Sequence, residues 1–198
     1  MNDQQAREDI QIIRTMLEKT KKTTAESGTI FIVWGILITL ALIGNYVLAF
    51  LKKYEWEWIN WVVFTAIGWI YSALYGMRKE RREPVRTYAQ TTARHLYIAC
   101  GVGFLLVALV LPRLGIYSYE AITVLVAAVT GILFFVMGGI FEWALLKALG
   151  AFWWAGAVVI SLFEGLDRTL AYTLFFVAGY LIPSFVFRAK YRREKARA

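Results

Sequence analysis

The sequence predicts an all-α integral membrane protein: a bundle of six transmembrane helices in three consecutive hairpins, with an amphipathic cytoplasmic helix in front. Three observations carry this. Six stretches of 16 to 23 residues hold no charged side chain, the composition is 59% apolar and 16% aromatic with a mean hydropathy of +0.54, and the basic residues gather on alternate connections. An ordinary water-soluble domain is closer to half apolar, so hydrocarbon is the better solvent for this chain.

Residues 3 to 20 come first and differ in kind from the rest. Ala6, Ile10, Ile13 and Leu17 recur at intervals of four, three and four, with Ile12 and Met16 beside them and charged or amide side chains elsewhere. That period predicts an amphipathic helix whose apolar stripe, Ile10, Ile13 and Leu17, meets a partner or the membrane surface. Ser27 and Gly28 separate this helix from the first span. The first apolar run starts near residue 29, behind a mixed-charge segment without a small-residue cleavage pattern, so the first span is expected to be retained rather than removed as a signal peptide.

The uncharged runs are Thr29 to Leu51, Trp58 to Met77, Leu96 to Pro112, Ala121 to Phe141, Ala148 to Phe163 and Thr169 to Phe187. A helix rises about 1.5 Å per residue and a bilayer core is about 30 Å thick, so each run suits one crossing. Continuous apolarity, without the period-two alternation of a barrel strand, selects helices. The chain thus divides into residues 1–28, helix and linker; 29–187, a six-span membrane domain; and 188–198, a basic tail.

Eighteen Lys and Arg fall in residues 1–28, 78–94, the fourth connection (Lys147) and the tail, whereas only Lys52, Lys53, Arg113 and Arg168 fall on the other side. The positive-inside rule then places both termini in the cytoplasm, and the expected location is the bacterial cytoplasmic membrane. The same clusters account for the net charge of +8 without nucleic acid, and they attract anionic headgroups at the cytoplasmic face.

Val63 to Tyr71, Val126 to Phe134 and Leu174 to Ile182 share an apolar frame with a central Gly, which suggests a repeated two-helix unit. Small residues at Gly68, Ser72 and Gly76, and again at Ala127 and Gly131, predict faces for close helix packing, within the bundle or in a homodimer. The third and fifth runs are short, and the sixth contains Pro183.

Polar groups within apolar helices are costly and so point to sites. Asn45 is a strong amide among aliphatics and is expected to bond across to another helix. Glu142 and Lys147 belong to the cytoplasmic boundary, and Glu164 to the other one, where carboxylates near span ends would draw cations toward a vestibule. Trp153, Trp154 and Tyr180 are the aromatics that would line a pathway if one ran through the bundle.

Catalytic and cofactor signatures do not appear. One histidine, His95, excludes bis-histidine haem ligation within the chain, and His95 and Cys100 stand five apart, off a common helical face. No phosphate loop, nucleophile elbow or His-Glu-x-x-His pattern occurs, so neither an enzyme nor a bound cofactor is expected. Two functions are left: a non-catalytic membrane protein that binds a cytoplasmic protein partner, lipid or a second copy of itself, or a small transporter or channel for an ion or small molecule, built from two-helix repeats.

Overall fold

The computed structural model describes residues 28–82, 88–186 and 188–189, and all regular structure among them is helical. Among the described residues, six helices are long and apolar enough to cross a membrane. We number them α1 (Gly28–Phe50), α2 (Glu57–Arg82, entered by a 3-10 turn at Tyr54–Trp56), α3 (Tyr88–Arg113), α4 (Ala121–Ile140), α5 (Ala144–Ser161) and α6 (Gly165–Val186). The stripe Ile10, Ile13 and Leu17 lies outside the described residues.

Three helix ends are closed by one device. Lys53 N–H donates to the Leu48 carbonyl and Lys52 N–H to Ala49; Ile116 and Gly115 pair likewise with Leu111 and Pro112, and Trp143 and Glu142 with Gly138 and Gly139. These crossed bonds define the Schellman motif, which satisfies the last carbonyls and needs one left-handed residue just past the helix. That residue is Gly115 in one turn but Lys52 (φ 56) and Glu142 (φ 50) in the others.

Each proline in the described helices follows a π-turn. A π-turn at Leu106–Val110 precedes Pro112, and another at Val177–Leu181 precedes Pro183, each beginning six residues before the proline. In α3 Leu111 N–H reaches back to Leu106, so the Val107 carbonyl loses its helical donor, and Pro112 has none to offer. The Tyr117 hydroxyl donates to it instead. In α6 the carbonyl four residues before Pro183 is that of Gly179, and the Trp153 indole donates to it at 3.2 Å. Near each break one backbone carbonyl is thus taken up by a side chain from elsewhere in the chain.

Helix lengths depart from the uncharged runs chiefly in two places: α2 has 26 residues against a run of 20, continuing through Arg78 to Arg82, and α3 departs further. The third run holds 17 residues, but α3 has 26, because Arg94 ends the run without ending the helix. The fifth helix is short, 18 residues or about 27 Å by the helical rise.

The closest pairing is α4 with α5, which belong to different hairpins. Gly131 and Gly150 permit it: a Cβ on Gly131 would lie 3.1 Å from the Gly150 carbonyl, and one on Gly150 would lie 2.8 Å from the Phe135 nitrogen. Packing thus does not follow the hairpin division. The α2 helix leans chiefly on α1 and leaves Trp58, Val62, Ile67, Trp69 and Ile70 exposed, an exterior suited to hydrocarbon.

Candidate functional site

The centre of the bundle is filled by aromatic rings. Trp153 of α5 is fully buried and Phe134 of α4 is 1% exposed. Tyr180 of α6 joins them to the rest: its ring stands 5.6 Å from Phe134 in an edge arrangement, 5.0 Å from Phe176 stacked, and 5.9 Å from Phe31 of α1. Trp153 meets Phe176 edge-on at 6.0 Å. Rings at these separations attract beyond their buried area, so the cluster ties α1, α4, α5 and α6 together where a pathway would run.

Most of the small residues named from sequence receive side chains. Gly68 abuts the Trp34 ring, whose indole N–H donates to Ser72 Oγ at 2.9 Å. Gly131 abuts Trp154, and Gly179 abuts Phe152 and Trp153. All three glycines of the shared apolar frame therefore seat an aromatic ring, although the rings on Gly131 and Gly179 both come from α5. Trp154 is 37% exposed and bonds to the Ala128 carbonyl at 3.2 Å. Ala127 is fully buried, whereas Gly76 has open space beside it.

A polar contact joins α1 to α2 near the end of the bundle that carries Lys52. Asn45 Nδ2 donates to the Glu57 carboxylate at 3.3 Å, and its Oδ1 is buried with no partner among the described residues. Asn60 Nδ2 donates to the Ala41 carbonyl at 2.8 Å, and its Oδ1 fills the space beside Gly44. Asn60 is the residue that sequence reasoning missed. It is an amide in an apolar run, as Asn45 is, and that signal was available in the sequence.

The same end carries two recesses. One, of about 380 Å³, lies between α2 and the end of α3, where the Arg113 guanidinium stands 5.2 Å from the Trp58 ring centre. The other, of about 370 Å³, lies where α4 begins. Its rim is an ion pair: Arg168 Nη1 lies 3.1 Å from Glu120 Oε2 and also donates to the Glu120 carbonyl at 3.2 Å, while Nε donates to the Phe163 carbonyl at 2.6 Å. Glu120, a carboxylate at the span end facing this recess, is thus already paired. Glu164 is exposed at the start of α6 and makes no side-chain cap.

At the opposite, Arg-rich end, Glu142 and Lys147 are both exposed. Glu142 occupies the left-handed position of the α4–α5 turn, and Lys147 packs its backbone and stem against Gly138. Among the described residues, no three His, Cys, Asp or Glu side chains gather as metal ligands would. No family model, curated protein or solved structure matches this chain.

Proposed function

We propose that this chain is a non-catalytic multi-pass protein of the cell membrane, N-in and C-in, that works by binding a cytoplasmic protein partner, lipid, or both. The observation that carries this reading is the solid aromatic centre: Trp153, Phe134, Phe176 and Tyr180 occupy the space a substrate would cross. Binding is then a matter of surfaces. On the cytoplasmic side these are the N-terminal stripe of Ile10, Ile13 and Leu17 and the Arg-rich loops and tail, which attract anionic headgroups.

Deleting residues 1–20 tests it. The truncated protein is expected to lose a partner that co-purifies with the full chain, or to bind vesicles rich in anionic lipid less well. An unchanged interaction profile contradicts the reading. The competing function, a small transporter or channel, draws on the two interrupted helices at Pro112 and Pro183, since broken helices mark many transporter sites. Flux of an ion or small molecule in reconstituted liposomes would favour it.

A further inference from the structure

The recess at the start of α4 has the layout of a phospholipid. Its rim is polar, with Ser118, Glu120 and Arg168, and its wall is apolar, with Ala121, Val124 and Leu125. Val124 and Leu125 lie about one helical turn past Glu120, roughly 6–8 Å along the axis, so the greasy wall lies deeper in the bundle than the charged rim. A lipid presents the same order, a charged head above an acyl chain. The recess is a shallow, open groove of about 370 Å³.

The rim charges narrow the choice of headgroup. Three contacts fix the Arg168 side chain, which is 13% exposed, and they engage Nε and Nη1 of a fork with five donors, so it can take a phosphate oxygen as well. The Glu120 side chain beside it is 66% exposed and is open to a cation from outside. A fixed guanidinium next to an open carboxylate is the complement of a phosphate joined to an ammonium. A primary ammonium donates hydrogen bonds to a carboxylate, which a quaternary one cannot do. An anionic head without an ammonium would bring a second negative charge to a rim whose one guanidinium already neutralises Glu120.

We propose that this groove holds a glycerophospholipid with an ethanolamine headgroup, its phosphate on Arg168, its ammonium on Glu120 and one acyl chain along Val124 and Leu125. The inference rests on the proposed membrane location of the chain.

The test reconstitutes the full chain in nanodiscs of equal parts ethanolamine, choline and glycerol phospholipid, then measures the lipid retained on extraction by native mass spectrometry. Ethanolamine lipid should be enriched about fivefold over the other two, the scale of one exposed charge-assisted contact. Glu120→Gln should erase the preference over choline lipid. Val124→Trp, which fills the groove and leaves the ion pair, should erase the enrichment altogether. Retention in the bulk proportions by the wild type, or an undiminished preference in Val124→Trp, overturns the inference. A chain that inserts and still captures its cytoplasmic partner without this enrichment refutes the lipid site alone; a chain that fails to enter the nanodisc refutes the membrane location with it.

Discussion

Glu142 sits in a backbone conformation that favours glycine, at φ 50, two residues past the end of α4. Its side chain is exposed and makes no hydrogen bond among the described residues that would offset the strain. Glu142→Gly is therefore expected to stabilise the folded protein in detergent by about 0.5–1 kcal/mol, read as a rise in melting temperature. A fall would mean that the carboxylate has a stabilising partner. At the other end, partial burial holds the Tyr117 phenol above its ordinary value of 10.0. A raised folded value means that the protonated form favours folding, so this contribution is complete below pH 10 and is lost as pH rises through the folded value. Alkaline melting curves should show that loss in the wild type, and Tyr117→Phe, already without the bond to Val107, should lack it.

At the scale of an element, the α4–α5 contact is the least forgiving. Gly150→Ala places a methyl 2.8 Å from the Phe135 backbone nitrogen, a clash that only a shift of the helices relieves. It should cost about 1–3 kcal/mol, the range for overpacking a close contact, measured by thermal or denaturant unfolding in detergent. Gly76→Ala, with open space around the site, should be nearly silent in the same assay. Sequence made the small residues visible but not their neighbours: Gly68 and Gly76 look alike as letters, and only one faces an indole. The proline breaks show the same limit. Pro183 is plain in the sequence, but the donor that repairs its helix is Trp153, thirty residues earlier, and no local pattern joins the two.

For the whole molecule, the six long apolar helices among the described residues were legible because charge is costly in hydrocarbon, and its absence over some 16 to 23 residues marks each of them directly. Their arrangement was not legible. In water the buried face of a helix is apolar and the exposed face polar, but α2 exposes Trp58, Ile67 and Ile70 while α4 buries Leu133 and Phe134, and the residue types are the same. Periodicity cannot separate a lipid-facing side chain from a core one when both are apolar. The same blindness hid the peripheral place of α2, the aromatic centre and the Arg168–Glu120 pair, whose members stand 48 residues apart. The sidedness of charge stayed readable, because it depends on which connections carry Lys and Arg and not on how the helices pack.

That sidedness allows the most direct test of the membrane topology. Single cysteines placed in a Cys100→Ala background at Ser118 and Glu164, and at Glu142 and Ala198, can be labelled in intact cells with a thiol reagent that does not cross membranes. The proposed topology predicts labelling at 118 and 164 from outside, and labelling at 142 and 198 only after the membrane is opened. Labelling of 118 and 142 from the same side, or recovery of the protein in the soluble fraction without detergent, would contradict it.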